Sequence, residues 1–254
     1  MPSNDPFIRP DWRVDPRIGV LMSTRDGGVS APPFDSLNLG RSVGDAPEAV
    51  AENRRRFEAA IGVPPVWLSQ VHGVRVLRLP AGEGPHEADA GITTEPGVVC
   101  TVMVADCLPV LFAAPQARGV AAAHAGWRGL AGGVLEATVS ALCDATGCRP
   151  DELSAWLGPC IGPRQFEVGE DVVRAFGPGA AARFAPRGPA HVGPDGSPRW
   201  LADLPGLARD RLQAAGVDQV SGGGGCTVEE RSRFFSFRRD RITGRMAAAV
   251  WIRR

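Results

Sequence analysis

Runs of apolar residues alternate with polar, glycine-rich turns along most of this 254-residue chain. Strands that are covered on both faces are apolar throughout, so these runs predict buried β-strands. They lie at residues 18–24, 66–79 (one strand or a pair), 98–105, 108–113, 119–125, 153–157, 217–220, 234–237 and 245–252.

Helices are predicted where apolar residues recur every three or four positions. The first begins at Asp45-Ala-Pro-Glu48, which has the spacing of a capping box, and runs for roughly 15 residues. The others are predicted at residues 129–146, 168–176 and 201–215. Residues 177–200 are rich in Gly and Pro and predict a surface excursion, and residues 1–15 predict an irregular arm.

The order of these elements indicates the fold class. Helices and strands interleave without a regular βαβ period, and no repeat or linker divides them. This pattern favours one layered α/β (α+β) domain with mixed sheets, spanning residues 1–254, over a Rossmann or barrel fold.

Composition and charge exclude several classes of function. The 28 basic and 28 acidic residues balance, so there is no electrostatic footprint for nucleic acid or an anionic membrane. No apolar run has the length of a signal peptide core or a membrane span, which predicts a cytoplasmic protein. Six cysteines without an export signal predict free thiols, and we interpret Cys143 and Cys148 as structural.

Three reactive side chains stand at the ends of apolar strands. His72 lies in SQVHG, Cys107 follows the run at 98–105, and His124 closes the run at 119–125. Two imidazoles and a thiolate are good zinc ligands that leave a fourth position open. Their spacing matches no local zinc signature, so two other interpretations stay open: buried histidines beside an inert thiol, and a metal-free Cys–His nucleophile pair.

Two aspartates accompany these residues. Asp89 lies in a loop before a strand, and Asp106 directly precedes Cys107. Asp106 is a candidate for orienting a histidine or for acting as a general acid, with a strand-end turn residue as the alternative.

Arginines near two turns are candidates for binding an anion. Arg128 follows the small-residue turn after His124, while Arg238, Arg239 and Arg245 cluster near a late strand. Guanidinium groups suit phosphate recognition, although a tight turn and a solvated hairpin are equally simple interpretations.

The chain as a whole resembles one bacterial family. The motifs that carry the resemblance span roughly residues 18–252 and read STRDGGVS, SLNLGRSVGD, ENRRRF, SQVHG, ADA, ADCLPVLF, AAAHAGWRGL, LGPCIGP with FEVG, and CTVEERSRFFSFRRDRITGRMAAAVWI. The family is known as YfiH-like or laccase-domain proteins, as peptidoglycan editing factor, and as bacterial purine nucleoside phosphorylases of this type.

The resemblance implies a single αββα layered sandwich with mixed sheets, related to cysteine-dependent toxin deamidases. It also implies a zinc site, with copper as the alternative ion, on the histidine of SQVHG, the cysteine of ADCLP and the histidine of AAHAGWRG. In this sequence they are His72, Cys107 and His124. The implied activity is phosphorolysis of adenosine, inosine and 5′-methylthioadenosine, with adenosine deamination beside it. The partners would be a purine nucleoside and phosphate, and the protein a monomer or small homo-oligomer.

The residue roles that we predict follow from this resemblance. Catalysis is assigned to His72, Cys107, His124 and Asp106. Substrate contacts are assigned to five residues: Asn38 and Arg54 for the ribose or base, and Arg128, Arg238 and Arg239 for phosphate.

Elementary chemistry separates the activities attached to this family. A multicopper laccase needs a mononuclear site and a three-copper cluster ligated mostly by histidine, and four histidines are too few for that set. Zinc-assisted deamination is chemically sound, but the usual H-x-E and P-C-x-x-C motif is absent. A Cys–His hydrolase that edits peptidoglycan precursors and a binding protein with a structural zinc stay as alternatives.

Overall fold

A computed structural model describes residues 5–82, 86–188 and 190–254. Within these ranges the chain forms fourteen strands. They are β1 (Phe7–Ile8), β2 (Ile18–Ser23), β3 (Pro65–Trp67), β4 (Val76–Arg78), β5 (Ala90–Thr93), β6 (Val99–Val104), β7 (Leu108–Ala113), β8 (Val120–Ala125), β9 (Ser154–Leu157), β10 (Glu167–Val168), β11 (Phe184–Pro186), β12 (Trp200–Ala202), β13 (Gln219–Gly222) and β14 (Met246–Ile252).

Six α-helices accompany the strands in the described part of the chain. They are α1 (Pro47–Ile61), α2 (Trp127–Gly132), α3 (Val134–Thr146), α4 (Glu170–Phe176), α5 (Leu204–Ala214) and α6 (Phe237–Asp240). None of them is long and apolar enough to cross a membrane.

Two mixed sheets form the centre of the molecule. The five-stranded sheet has the order β1-β2-β14-β6-β3, and the six-stranded sheet has the order β13-β9-β7-β8-β5-β4. In the first, β14 is antiparallel to both β2 and β6, while β3 joins β6 in parallel. In the second, β7 and β8 are antiparallel and β4 runs parallel to β5. A small third sheet has the order β10-β12-β11.

The side-chain alternation of the central strands explains how the layers stack. Along β14, Met246, Ala248 and Val250 pack into the core between the two sheets, while Ala247 and Ala249 pack into a second core with Phe57 of α1. A third core joins the other face of the six-stranded sheet to α3 and α5. The order of layers is therefore helix, sheet, sheet, helices, which confirms the predicted αββα sandwich.

Two predicted elements are wrong in kind. Phe234 and Phe235 are buried but lie in an irregular segment, and Ser236 then accepts a hydrogen bond from the Arg239 amide and caps α6, so no strand forms at 234–237. The Asp45 capping box is also absent, because the Asp45 carboxylate accepts hydrogen bonds from Ser30 and Asn38 instead.

Other predicted elements differ in extent. The helix predicted at 129–146 is broken at Gly133, which adopts φ 99° and separates α2 from α3. The helices predicted at 168–176 and 201–215 begin two or three residues later, because their first residues belong to β10 and β12. The predicted irregular arm contributes β1, which pairs with β2, while residues 1–4 lie outside the described ranges.

Candidate metal and active site

Three neighbouring strands of the six-stranded sheet deliver polar side chains to one edge. Cys107 immediately precedes β7, His124 is the fifth residue of β8, and Asp89 immediately precedes β5. The strand pairing fixes their proximity, since Pro109 lies opposite His124 and Ala90 lies opposite Ala123. Along β8, His124 shares the face of Val120 and Ala122, which is the face between the two sheets.

His72 reaches the same place from the connection between β3 and β4. Its Nε2 lies 3.8 Å from the Cys107 Sγ, and the ring centroids of His72 and His124 are 4.8 Å apart. The possible ligand atoms of His72, Cys107 and His124 all lie within 4.8 Å of one another. The structure therefore brings together the three residues predicted to bind a metal, which we call the trio.

Asp89 holds two members of the trio in place. Its carboxylate accepts hydrogen bonds from the backbone amides of Val71, His72 and Gly73, at 3.2, 2.9 and 2.7 Å. It also contacts the Nδ1 of His124 at 2.8 Å, and its backbone carbonyl accepts the His124 amide. With Nδ1 protonated and held by the carboxylate, the Nε2 lone pair of His124 is free for a metal.

The electrostatics of the trio favour charged forms despite burial. Burial raises the pKa of the Cys107 thiol, but His124 and His72 outweigh it and lower this pKa from 9.0 to about 6. Burial lowers the pKa of His124, but the Cys107 thiolate and Asp89 raise it from 6.5 to about 9. Burial likewise opposes ionisation of Asp89, yet hydrogen bonds from His124 and Gly73 keep its pKa below the ordinary value. Free of metal, the site is thus a thiolate–imidazolium pair near neutral pH.

The chemistry of the trio fits a zinc or copper ion. One thiolate and two imidazoles match the donor set of such metals, and a carboxylate behind one histidine is the usual supporting group. The site is also accessible, since His72 is exposed and Cys107 is half-buried, whereas His124 is only 3% exposed. This combination can bind a metal and leave a position for a substrate.

A glycine makes the close approach of the ligands possible. A Cβ atom on Gly126 would lie 2.8 Å from the His72 ring and 3.0 Å from the Cys107 Sγ. Gly126 has an ordinary φ of −64°, so glycine is needed here for space and not for a special backbone conformation. The turn after His124 therefore serves the trio directly.

Asp106 supports the site from its other side. Its carboxylate accepts hydrogen bonds from the Thr227 hydroxyl and the Arg238 amide, both at 2.6 Å, and its carbonyl accepts the Ile161 amide. The hydrogen bond to a histidine that was one interpretation of Asp106 is made by Asp89 instead. The position of Asp106 fixes the backbone beside Cys107, and its catalytic role stays a prediction.

Two of the predicted substrate residues are occupied by internal contacts. Asn38 is fully buried. Its side-chain amide donates hydrogen bonds to the Asp45 carboxylate and the Gly40 carbonyl, and it accepts them from the backbone amides of Gly40 and Arg245. The Arg239 guanidinium donates to the carbonyls of Thr227, Val228 and Phe234 and pairs with Asp240. Since these contacts use the side-chain polar groups, the prediction that Asn38 and Arg239 contact substrate is not supported by their positions.

The other predicted arginines are placed differently. Arg54 is 9% exposed, stacks on Trp67 at 3.9 Å and donates to the Leu39 carbonyl. Burial, with a smaller contribution from Arg41, lowers its pKa to about 10. Arg238 donates to the Glu167 carbonyl, and burial lowers its pKa. Arg128 is exposed and lies over the Trp127 ring.

The structure places two further residues at the site. One is Asp89, whose partners lie 16 to 18 positions before it and 35 positions after it in the chain. The other is Arg245, which the sequence predicts only as one of a cluster of arginines suited to phosphate. Burial lowers the pKa of Arg245, and the Cys107 thiol and Asp106 are close enough to oppose that shift. For Asp89, the one signal in the sequence is the ADA motif that contains it.

Comparison with known proteins agrees with this geometry. The profile of a family described as multi-copper polyphenol oxidoreductase laccase matches residues 19–253. The Escherichia coli (strain K12) protein named purine nucleoside phosphorylase YfiH is 50% identical over 253 residues, which cover 97% of this chain and 98% of that protein. A Pseudomonas aeruginosa protein, also named purine nucleoside phosphorylase, is 51% identical over 247 residues, with the same coverage of 97% and 98%.

Solved structures share the fold over nearly the whole chain. The crystal structure of a Neisseria meningitidis protein superposes with a TM-score of 0.90 at 45% identity and covers 98% of this chain and 100% of its own. The crystal structure of YlmD from Geobacillus stearothermophilus gives a TM-score of 0.82 at 33% identity, with coverage of 98% and 100%. This chain therefore belongs, together with the YfiH proteins, to the laccase-like family described as multi-copper polyphenol oxidoreductase laccase.

Proposed function

We propose that this protein is a zinc-dependent purine nucleoside phosphorylase. Its substrates are adenosine, inosine and 5′-methylthioadenosine, which it cleaves with phosphate to the free base and ribose 1-phosphate or 5-methylthioribose 1-phosphate. Adenosine deamination is a side activity. The observation that carries the proposal is that relatives 50% and 51% identical over 97% of this chain bear the name purine nucleoside phosphorylase.

Phosphorolysis makes two demands on a site. A phosphate oxygen forms a bond to C1′ of the ribose while the bond from C1′ to the purine nitrogen breaks and its electron pair leaves with the base, which then takes a proton. The site must therefore hold a phosphate against C1′ with cationic groups and stabilise the charge that develops on the base.

Three arginines support the first demand. Arg54 is buried and Arg238 and Arg245 are half-buried, and burial lowers the pKa of each. None of the three forms an ion pair with a carboxylate among the described residues. Each of them donates to a backbone carbonyl, at Leu39, Glu167 and Thr243, so their positive charges are hydrogen-bonded but not neutralised and suit an anion. We assign phosphate binding to Arg245 and Arg238, and ribose or base contacts to Arg54.

The trio supports the second demand. His72, Cys107 and His124 would hold the zinc ion, with Asp89 fixing the His124 ring. When bound, zinc supplies Lewis-acid polarisation of a substrate atom. Asp106 keeps Cys107 and the Arg238 backbone in a fixed relation, so that the cationic groups and the trio face the substrate together.

A second candidate function rests on the acidity of Cys107. Because His124 and His72 lower its pKa to about 6 in the absence of metal, the thiolate itself could act as a nucleophile, as in a Cys–His hydrolase that edits peptidoglycan precursors. Full activity after chelation, with loss on thiol alkylation, favours this candidate. Laccase chemistry has less support, since only two of the four histidines belong to the trio.

The test is a panel of nucleosides incubated with and without phosphate. The proposal predicts free base and ribose 1-phosphate only when phosphate is present, and inosine as the minor product from adenosine. Cys107→Ala should abolish this turnover, and Cys143→Ser is its matched control, because it removes a half-buried thiol outside the trio and should leave turnover unchanged. Release of base at the same rate without phosphate would indicate hydrolysis and reject the proposal.

A further inference from the structure

A pair of thiols at the end of α3 takes no part in the chemistry proposed above. Cys143 lies in the last turn of the helix, and Cys148 follows the glycine that ends it. Gly147 adopts φ 68° and donates its amide to the Cys143 carbonyl at 2.8 Å. This left-handed turn reverses the chain and brings the two sulfur atoms to 3.9 Å from each other.

The two thiols differ in accessibility. Cys148 is only 7% exposed and packs in the core beneath α3, whereas Cys143 is half-buried at the surface of the helix. The Thr146 hydroxyl lies 3.0 Å from the Cys148 sulfur and 2.7 Å from the Leu142 carbonyl, to which it donates its one proton. An oxidant from solution therefore reaches Cys143 first, and the Cys148 sulfur lies 3.9 Å behind it.

We propose that Cys143 and Cys148 form a modification site that closes to a disulfide by exchange with a low-molecular-weight disulfide of the glutathione type. The Cys143 thiolate attacks one sulfur of the oxidant, which releases one thiolate and leaves a mixed disulfide on Cys143. The Cys148 thiolate then attacks the Cys143 sulfur and releases the second thiolate. The protein dithiol loses two electrons and two protons, and the oxidant gains them as two thiols.

The geometry requires only a local movement. A disulfide bond is about 2.05 Å long, so the sulfurs must approach from 3.9 Å, and both belong to a helix end and the turn that follows it. Cys160 and Cys226 are also neighbours, through an isolated parallel bridge, but both are buried and no thiol of that pair faces the solvent. Cys143 and Cys148 thus combine contact with access.

The pair is separate from the trio. Thr146 packs against Gly119, where an added Cβ would lie 2.5 Å from its methyl group, and Gly119 directly precedes β8. His124 lies near the opposite end of β8, so closure of the disulfide leaves the metal ligands in place. Burial and the neighbouring Cys148 raise the pKa of Cys143 to about 12, so exchange is slow at neutral pH and accelerates as the pH rises.

The experiment uses the zinc-loaded full chain incubated with glutathione disulfide at neutral and mildly alkaline pH. Cleavage after glutamate gives a peptide, residues 137–152, that contains Cys143 and Cys148 and no other cysteine. We expect this peptide to become two hydrogens lighter, faster at the higher pH, and to resist alkylation until it is reduced. A second cleavage before Asp144 should leave the two halves joined.

Two variants locate the two steps. Cys148→Ser should stop at a glutathione adduct on Cys143, and Cys143→Ser should leave Cys148 unmodified because that thiol is buried. The mass and thiol content of the wild-type peptide decide the proposal even without the two variants. Two free thiols after prolonged oxidation, or a persistent adduct on Cys143 of the wild type, would overturn the proposal.

Discussion

Asp89 and Asp106 occupy equivalent places in the fold and perform different tasks. Both are buried, and both lie just before a strand of the six-stranded sheet, Asp89 before β5 and Asp106 before the Cys107 that leads into β7. The Asp89 carboxylate contacts His124 and three consecutive amides around His72. The Asp106 carboxylate contacts Thr227 and the Arg238 amide.

The difference shows that residue type and strand position do not define a role. Asp89 acts on the metal ligands, since it fixes the tautomer of His124 and the backbone that carries His72. The carboxylate of Asp106, the residue before Cys107, holds the C-terminal loop that carries Arg238. One aspartate holds the trio, and the other holds the loop that carries Arg238.

The largest expected difference between variants at Asp89 and Asp106 is in the ionisation of Cys107. In zinc-free protein the pKa of this thiol is lowered from 9.0 to about 6, so the thiolate population should rise with pH through about 6 and be nearly complete at neutral pH. Alkylation by iodoacetamide should follow this curve. Asp89→Asn should move the inflection to higher pH, because it weakens the protonated form of His124 that stabilises the thiolate. Asp106→Asn should leave it near 6, and equal shifts in both variants would contradict the comparison.

The next effect is on zinc affinity. Asp89→Asn keeps the shape of the side chain but removes the charge that orients His124, so we expect a loss of about 10- to 100-fold in zinc affinity. Competition with a chromophoric chelator measures it. Asp106→Asn serves as the matched control, since its carboxylate touches none of the trio directly. Wild-type affinity in Asp89→Asn would remove Asp89 from the account of the site.

Stability should also depend on Asp106. An asparagine can accept only one of its two short hydrogen bonds and places an amide group against a donor, which costs about 1–3 kcal/mol. Denaturant unfolding of the zinc-free protein should show this decrease for Asp106→Asn. An unchanged free energy of unfolding would mean that the contacts to Thr227 and Arg238 contribute little.

The smallest predicted effect concerns Gly126. In Gly126→Ala the new methyl group meets the His72 ring and the Cys107 sulfur, so both ligands must shift by a few tenths of an ångström. We expect a loss of zinc affinity of several-fold, smaller than that of Asp89→Asn. Gly179→Ala is the control, because a Cβ atom at Gly179 meets nothing. If the two alanine variants bind zinc equally well, the trio tolerates more crowding than its geometry indicates.

Local patterns along the chain were sufficient to predict most of the fold. The apolar runs of β6, β7, β8 and β14 are long and covered on both sides, so their positions followed from hydrophobicity alone. Phe234 and Phe235 give the same pattern without forming a strand, because a buried irregular segment can be as apolar as a strand. Gly133 broke a helix that the apolar periodicity continued through.

The site was predictable only in part, for a similar reason. Motifs indicated His72, Cys107 and His124, but the task of Asp89 depends on the pairing of β5 with β8, which no local pattern reveals. Side-chain chemistry alone favours Asn38 and Arg239 as substrate contacts, whereas in the fold their polar groups make internal hydrogen bonds.

The central claim is that the trio binds the metal on which phosphorolysis depends, and Cys107→Ala tests it most directly. Zinc content and phosphate-dependent release of adenine from adenosine should be measured on the same preparations of wild type and variant. We predict that the variant loses both together while keeping the wild-type circular dichroism spectrum. A zinc-free Cys107→Ala protein that still cleaves adenosine with phosphate at the wild-type rate would contradict the account.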